Sequence, residues 1–262
     1  FKLFLNYLDK DGIAVINDSI KEIDKLKKKL IKKNIKIISY GSPKSNIHFR
    51  KNKTKSFLKI FDKYYLVKLK DYNLYDISNL LCSISCCIAA GIKITKILKA
   101  ISLLDRPLGR MQEVGTLHNG SKVFVDYAHT PEALKSILIA NSIRNNKPNL
   151  LFGCGGERDK NKREIMGKIA NKFADKVYIT DDNPRNENAS KIRKTIISQC
   201  SKAKELPNRR EAIKKSINEL TKNKILIIAG KGHENKQYIK NKILNFDDTK
   251  IAKFYINKLN EL

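Results

Sequence analysis

The sequence predicts an α/β chain whose second half folds around a parallel, Rossmann-like sheet. Short apolar runs alternate with helix-length segments there, which is typical of strands joined by helices. Several of these runs end in glycine-rich or polar loops. Hydrophobic residues make up 41% of the 262 residues, enough for a packed core. Because ligands bind at the carboxyl ends of parallel strands, we expect the functional residues in those loops.

Residues 1–107 are predicted to form one unit that opens with a βαβ-like arrangement. The predicted elements are a strand at 13–16, a helix at 19–33, a strand at 35–40, strands with polar turns across 46–70, and helices at 77–90 and 95–103. One polar turn falls on Lys51-Asn52-Lys53. Gly91 is a helix C′ signal and Thr95 a predicted N-cap. Pro107 and Gly109 then interrupt the pattern, and we place the domain boundary there.

Residues 108–262 are predicted to form the second unit. Met111 to Ala128 forms a hairpin with His118-Asn119-Gly120 at its turn. Thr130 caps the next helix, with Pro131 at its first position. The remaining predicted elements are strands at 150–153, 177–180 and 225–229, helices at 163–174, 189–200 and 209–220, and a last helix capped by Asp248 or Thr249.

The chain is strongly basic, with 54 Lys and Arg against 26 Asp and Glu and a net charge of +28. One explanation is a polyanion-binding surface. The other is a compositional bias toward Lys, Asn and Ile, which are abundant throughout. The lysines are spread along the chain without an aromatic-interleaved basic block, so we favour the bias and expect no nucleic-acid partner. A basic surface still suits an anionic small substrate.

The five cysteines form no CxxC pair, and no His/Cys set has zinc spacing, so we expect no metal held by this chain. This cysteine usage suits a reducing cytosol. No apolar stretch approaches the roughly 18 residues of a membrane span, and no signal peptide is visible. We therefore expect a cytoplasmic protein without membrane association.

Two strand-end loops suggest anion and amino-acid binding. Gly153-Cys154-Gly155-Gly156 follows a strand and precedes a helix and the cations Arg158, Lys162 and Arg163. Such a loop lets a backbone approach phosphate or carboxylate, although it also suits a plain βα turn. Asp182-Asn183-Pro184-Arg185 offers a carboxylate for an ammonium and a guanidinium for a carboxylate, but a simple Asn-Pro turn remains the alternative.

Two further strand ends carry residues that could bind a nucleotide or an amine. Asp126 could accept from ribose hydroxyls, and Tyr127 could stack on a base, whereas a lone histidine such as His129 is more often structural. Gly230 and Gly232 flank Lys231 in a segment that ends with Glu234, which could accept from an amine. A tight turn explains that segment equally well.

Together with Gly109-Arg110-Met111-Gln112 and Phe246-Asp247-Asp248, these segments resemble the Mur ligase family. The resemblance implies that residues 1–107 are the C-terminal part of a central ATP-binding domain and that 108–262 are a Rossmann-like, amino-acid-binding C-terminal domain. The family's phosphate-binding loop does not occur in this chain. Leu3-Phe4 matches the end of the family's Lys-x-x-Leu-Phe pattern, so its carbamylated lysine would precede Phe1. We expect an N-terminally truncated enzyme that is inactive alone.

The resemblance also implies two groups of site residues. The implied ATP contacts are Asn79, Arg110, Asp126, Tyr127 and His129. Asp76 departs from the Asn that the family has near adenine. The implied meso-diaminopimelate contacts are Arg158, Asp182, Asn183, Pro184, Arg185, Gly230 and Glu234, while Lys162 and Arg163 are predicted phosphate or substrate contacts. The Asp-Asn-Pro-Arg form resembles the enzymes that add meso-diaminopimelate.

The implied activity is an ATP- and Mg²⁺-dependent ligation in peptidoglycan synthesis. It adds meso-diaminopimelate to the D-Glu of UDP-N-acetylmuramoyl-L-alanyl-D-glutamate through an acyl phosphate. The enzyme is expected to be a monomer. The alternatives are an L-lysine-adding or other ATP-dependent amino-acid ligase of the same superfamily, and a basic nucleic-acid-binding module. The last would bind with a steep salt dependence.

Overall fold

A computed structural model describes residues 2–52, 54–69, 74–142 and 146–261 of the chain. The chain divides into two compact units, Phe1–Asp105 and Arg106–Leu262. The assignment of these units to particular domains of a family stays a prediction. Among the described residues, no helix combines the length and the apolar character needed to cross a bilayer.

The first unit is a five-stranded sheet with helices. Its elements are α1 (Lys2–Asn6), β1 (Ile13–Asn17), α2 (Ile23–Lys32), β2 (Lys36–Tyr40), β3 (Ile47–Lys51), β4 (Ser56–Ile60), β5 (Lys63–Val67), α3 (Leu74–Ala89) and α4 (Ile94–Ile101). The strands lie in the order β1-β2-β3-β4-β5. The first three are parallel and the last three antiparallel. Helix α3 packs on β1, β2 and β3.

The ends of the first-unit elements only partly match the prediction. Helix α2 begins at Ile23 rather than Ser19, because the Ser19 amide donates to Asn17 Oδ1 (2.8 Å) in a turn after β1. The predicted Thr95 cap is wrong: Lys93 is the N-cap of α4, and no side chain caps that end. Gly91 ends α3 with a φ of 79°, as predicted. The turn predicted at Lys51-Asn52-Lys53 includes Lys53, which lies outside the described residues.

The second unit is a Rossmann-like sheet of six strands with helices on both faces. Its elements are β6 (Gln112–Thr116), β7 (Lys122–Asp126), α5 (Pro131–Ala140), β8 (Asn149–Phe152), α6 (Lys162–Phe173), β9 (Val177–Ile179), α7 (Ala189–Ile197), β10 (Ala203–Glu205), α8 (Arg209–Asn218), β11 (Ile225–Ala229), β12 (Lys236–Ile239), β13 (Lys242–Asn245) and α9 (Asp248–Asn260). The order is β10-β9-β8-β11-β7-β6, with β6 antiparallel and the others parallel. Strands β12 and β13 form a separate hairpin.

Alternate strand residues face two hydrophobic cores, one on each side of this sheet. Leu150 and Phe152 of β8 pack with apolar residues of α5, α6 and α7. Leu151 of the same strand packs with apolar residues of α8 and α9. Burial on both faces explains why the central strands are continuous apolar runs rather than alternating ones.

The predicted hairpin of β6 and β7 and the Thr130 cap of α5 are confirmed. Thr130 accepts from the Ala133 amide, and Pro131 occupies the first helical position. Strand β10 and the β12–β13 hairpin were not predicted. Both lack the longer apolar run that signals a buried strand, since each strand is only three or four residues long and contains lysine.

The last helix corrects another prediction, because its N-cap is Asp247 rather than Asp248 or Thr249. The Asp247 side chain accepts from the Lys250 amide (3.0 Å). We expect Asp247→Ala to lower the free energy of unfolding by about 1 kcal/mol, the usual cost of losing a cap. Thr249→Ala, the matched control, should change it by less than about 0.5 kcal/mol. Urea unfolding measures both variants, and equal losses would contradict the Asp247 assignment.

Candidate active site

Four parallel strands of the second unit end side by side and bring four loops to one edge of the sheet. Strands β9, β8, β11 and β7 are neighbours in that order. The loops that follow them are 180–185, 153–156, 230–234 and 127–129. The sequence predicted functional residues in all four loops, and the topology places them next to one another.

These loops line an open cavity of about 550 Å³. Its walls come from the four loops and from the first turns of α5 and α6. The predicted site residues among its lining are Tyr127, His129, Arg158, Lys162, Asp182, Asn183, Arg185, Gly230 and Glu234. The cavity therefore gathers most of the residues that the sequence singled out for amino-acid binding.

Three cations of the cavity have no carboxylate partner within the part of the chain that the structure describes. Arg158 Nη1 donates to the Glu157 carbonyl (3.1 Å), and Lys162 Nζ donates to the His129 carbonyl (2.9 Å). Arg185 Nη1 donates to the Gly156 carbonyl (2.8 Å). Each side chain is thus held by neutral oxygens, which leaves its charge available to an anionic ligand.

Asp182 supplies a carboxylate at the floor of the cavity. It is only 8% exposed, and its carboxylate accepts no hydrogen bond from a described residue. Burial raises the pKa of this carboxyl, while the charges of Arg209 and Lys231 oppose the rise. Gly230 lies against it with a φ of 113°, and an added Cβ there would stand 2.7 Å from Asp182 Oδ2. Only glycine fits this position without strain.

Glu234 supplies the second carboxylate, and Asn183 holds it. Asn183 Nδ2 donates to Glu234 Oε2 (3.0 Å). Asn183 Oδ1 accepts a hydrogen bond from the Tyr238 backbone amide (3.1 Å). Since Glu234 is partly exposed and lines the cavity, its Oε1 can meet a ligand while Oε2 is fixed by the protein.

The β12–β13 hairpin clamps the Asp182-Asn183-Pro184-Arg185 loop from outside. Gln237 Nε2 donates to the Asp182 carbonyl (2.8 Å). The Arg185 amide donates to the Tyr238 carbonyl (3.0 Å), and the Lys240 amide donates to the Arg185 carbonyl (2.8 Å). Arg185 adopts a φ of 51°, which the two backbone bonds stabilise. The loop is therefore rigid and aims the Arg185 side chain into the cavity.

The predicted ATP-contacting residues of this unit lie at one side of the cavity. The Arg110 guanidinium lies 4.5 Å from the centroid of the Tyr127 ring, and the His129 ring packs 4.5 Å from the same ring. His233 lies 5.4 Å away. Asp126 is 5% exposed and accepts from the backbone amides of Met111 and Ala128 (both 2.7 Å). Its carboxylate thus holds the start of β6 beside the β7 loop.

Five predicted site residues do not line the cavity: Arg110 and Asp126, described above, and three others. Arg163 is buried and pairs with Glu187 Oε2 (3.0 Å) and the Gly155 carbonyl (3.2 Å), so it braces the glycine loop. Pro184 is buried, with its carbonyl against Gly156. Asn79 is exposed on α3 of the first unit. Their roles as ligand contacts stay predictions.

Sequence reasoning missed the charged residues beneath the cavity. Arg209 and Asp248 form a fully buried ion pair, with Nε–Oδ1 and Nη2–Oδ2 distances of 2.8 and 2.7 Å. Arg209 Nη2 also donates to the Ala229 carbonyl (3.1 Å) at the end of β11. The two residues start different helices, and nothing in a linear sequence signals that their side chains meet. The sequence predicts Asp248 only as a candidate cap of the last helix, and Arg209 only as the start of another helix.

Comparison with known proteins identifies a family that matches part of the chain. Residues 109–232 match the family described as Mur ligase, glutamate ligase domain. Residues 109–232 of the chain therefore carry a Mur ligase domain. The match runs from Gly109 to Gly232 and so includes most of the cavity lining, but it ends before Glu234. The Mur ligase resemblance seen in the sequence is confirmed.

Similar proteins extend the match over almost the whole chain. A Rickettsia typhi protein named UDP-N-acetylmuramoyl-L-alanyl-D-glutamate--2,6-diaminopimelate ligase is 40% identical over 97% of this chain, which covers 53% of that protein. A Buchnera aphidicola protein of the same name is 45% identical over 68% of this chain and 36% of its own length. A solved structure with that name has a TM-score of 0.56 and 28% identity, covering 94% of this chain and 53% of that one. The chain spans about half the length of the Rickettsia protein and of the solved structure, and its match to the Buchnera protein covers a smaller share.

Proposed function

We propose that the complete protein containing this chain is an ATP-dependent amide-bond ligase of peptidoglycan synthesis. It joins meso-diaminopimelate to the D-Glu of UDP-N-acetylmuramoyl-L-alanyl-D-glutamate. The observation that carries the proposal is the cavity that Arg158 and Arg185 line together with the carboxylates of Asp182 and Glu234. Neither arginine has a carboxylate partner among the residues that the structure describes. The names of the two similar proteins and of the solved structure support the same substrates.

The charges of the cavity complement those of meso-diaminopimelate. This amino acid carries an ammonium and a carboxylate at each end. Asp182 and Glu234 suit the ammonium groups, whereas Arg158, Lys162 and Arg185 suit the carboxylates. L-Lysine lacks the distal carboxylate, so its binding would leave a guanidinium without a counter-charge. This difference favours meso-diaminopimelate over lysine as the substrate.

The reaction proceeds in two steps. Attack of the D-Glu γ-carboxylate on the γ-phosphate of ATP forms an acyl phosphate and releases ADP. The free amine of meso-diaminopimelate then attacks the acyl carbon, and the tetrahedral intermediate collapses to the amide with loss of phosphate. The cavity residues orient the amino acid for that attack, so their contribution is positioning and charge complementarity.

The nucleotide side of the second unit is proposed to include Arg110, Asp126, Tyr127 and His129. Asn79 of the first unit stays a separate predicted ATP contact. The Arg110–Tyr127 contact places a cation beside an aromatic ring. This combination suits a nucleotide, whose phosphates can pair with the cation and whose base can stack on the ring. Among the residues that the structure describes, no group of three His, Cys, Asp or Glu side chains could hold a metal ion. We propose that Mg²⁺ binds together with the ATP phosphates, and we assign no step to a metal held by these residues.

The substrates also define the setting of the proposed enzyme. Both are charged, water-soluble metabolites, so we propose a cytoplasmic enzyme. We also propose that it is a monomer without a membrane or nucleic-acid partner. The net charge of +28 would help to attract anionic substrates from solution.

The test is phosphate release by the complete protein with ATP, Mg²⁺ and UDP-N-acetylmuramoyl-L-alanyl-D-glutamate. We expect release with meso-diaminopimelate and little with L-lysine. Release with lysine alone would replace the substrate while keeping the ligase activity. Absence of release with either amino acid would overturn the proposed function.

Asp182 predicts a specific pH dependence of amino-acid capture. Because its pKa is raised by burial, Asp182 takes up a proton at a higher pH than an ordinary carboxyl group. Only the ionised form attracts an ammonium, so capture is complete above the raised pKa and is lost as pH falls through it. We expect kcat/KM for meso-diaminopimelate to fall on the acid side of a profile measured from about pH 5 to pH 9.

Asp182→Asn is the diagnostic variant because it cannot ionise. It should lower kcat/KM for the amino acid on the order of 10-fold to 100-fold at neutral pH and should abolish this acid limb. The KM for ATP should stay unchanged. An acid limb that persists in Asp182→Asn would assign the titration to another group.

A further inference from the structure

Lys231 is a fully buried lysine directly beneath the proposed amino-acid site. Its side chain is 0% exposed, although it follows a glycine at the end of β11 and precedes Gly232. Removing an ammonium from water is costly unless polar partners surround it. An apolar side chain of similar length would avoid that cost. A charge at this position therefore needs an explanation beyond packing.

The Lys231 ammonium connects three groups of the site. Its Nζ donates to the Lys236 carbonyl (2.6 Å), to Asn183 Oδ1 (3.2 Å) and more weakly to Glu234 Oε2 (3.4 Å). These groups belong to the β12 strand, the β9 loop and the β11 loop. One side chain thus ties together the three segments that surround the proposed ammonium subsite.

These contacts fix the orientations of the Asn183 side-chain amide and of the Glu234 carboxylate. Asn183 Oδ1 faces a cation and the Tyr238 amide, so its Nδ2 must point the other way, toward Glu234 Oε2. Glu234 Oε2 then receives both Asn183 and Lys231, and no described residue donates to Glu234 Oε1. The arrangement leaves one carboxylate oxygen of Glu234 for a ligand.

We propose that Lys231 is a positioning residue for the amino-acid substrate. It acts through Asn183 and Glu234, by fixing the Asn183 amide and by holding Glu234 so that Oε1 faces the cavity. This inference rests on the proposed function, because it specifies how the cavity presents a carboxylate to an ammonium of the amino acid. Lys231 itself does not touch the substrate.

The test compares Lys231→Met with Lys236→Met in the complete protein. Methionine keeps the length of the buried side chain and removes its charge. Lys236 is an exposed neighbour whose side chain makes no hydrogen bond or ion pair with a described residue, so it is the matched control. We expect Lys231→Met to raise the KM for meso-diaminopimelate on the order of 10-fold to 100-fold. The KM for ATP and the kcat should change by less than about threefold, and Lys236→Met should change nothing.

A double-mutant cycle tests whether Lys231 acts through Glu234. Glu234→Gln should raise the KM for meso-diaminopimelate, and adding Lys231→Met should raise it little further, because the residues act as one unit. Multiplicative effects would show independent roles and overturn the inference. An equal rise in the KM for ATP would indicate general damage and would also overturn it.

The remaining outcomes separate this inference from the proposed function. An unchanged KM in Lys231→Met, with normal turnover of the unmodified protein, overturns the inference alone. Absence of amino-acid-dependent turnover in the unmodified protein overturns the proposed function and the inference with it. If Lys231→Met does not fold, Lys231→Gln repeats the measurement. Failure of both variants to fold would assign Lys231 to stability and overturn the positioning role.

Discussion

Arg185→Ala is expected to raise the KM for meso-diaminopimelate roughly 10-fold to 150-fold, equivalent to about 1.5–3 kcal/mol for a hydrogen bond to a charged group. The KM for L-lysine should change far less, so the discrimination between the two amino acids should collapse. Initial rates of phosphate release at varied amino-acid concentration measure both constants. The effect is large because Arg185 is aimed into the cavity and has no carboxylate partner within the described chain.

Two variants distinguish substrate recognition from damage to the loop. Arg185→Lys keeps a charge but loses the planar fork, so we expect an intermediate KM for meso-diaminopimelate. Arg210→Ala removes an exposed arginine of the same unit outside the cavity and should leave both constants unchanged. Because Arg185 has a φ of 51°, thermal unfolding of each variant must also be measured. Parallel increases in KM for both amino acids would refute the role in discrimination.

The sequence predicted the cavity edge because the relevant signals are local. Each functional loop follows an apolar run that is long enough for a strand and too short for a helix. Alternation with helices implies parallel strands, and parallel strands place their carboxyl ends together. The sequence alone therefore places Asp182 near Gly230 and Glu234, although they are distant along the chain.

The sequence did not predict the β12–β13 hairpin or the Arg163–Glu187 ion pair. Both depend on contacts between elements that are far apart in the chain. Gln237 and the β12–β13 hairpin clamp the β9 loop, yet the hairpin has no hydrophobic alternation to mark it. Arg163 is predicted to contact phosphate or substrate because it follows glycines, and the sequence gives no sign of its ion pair with Glu187. A single charged residue in a helical segment gives no sign of whether it faces solvent, a ligand or a buried partner.

Arg209→Met is expected to be the most destabilising of these substitutions. Both members of the Arg209–Asp248 pair are 0% exposed, and removing one leaves a buried charge without compensation. Such changes cost about 3–5 kcal/mol. For a domain of this size the melting temperature should fall by roughly 10 °C. Differential scanning calorimetry measures the loss, and Arg210→Met, one residue along the same helix and exposed, is the control that should have little effect.

Replacing both partners separates the structural contribution of the pair from its electrostatic one. Arg209→Met with Asp248→Leu removes both buried charges and should recover much of the lost stability, because the desolvation cost disappears with them. Amino-acid capture should not recover to the same extent. Arg209 is the largest influence that lowers the pKa of Asp182 against the effect of burial. Asp248 raises the same pKa, but by less than Arg209 lowers it, so removing both charges raises the pKa of Asp182 further. Asp182 is then protonated at a higher pH, and the acid limb of kcat/KM moves to higher pH. A double variant that regains stability and keeps the original acid limb would show that Arg209 only supports the fold.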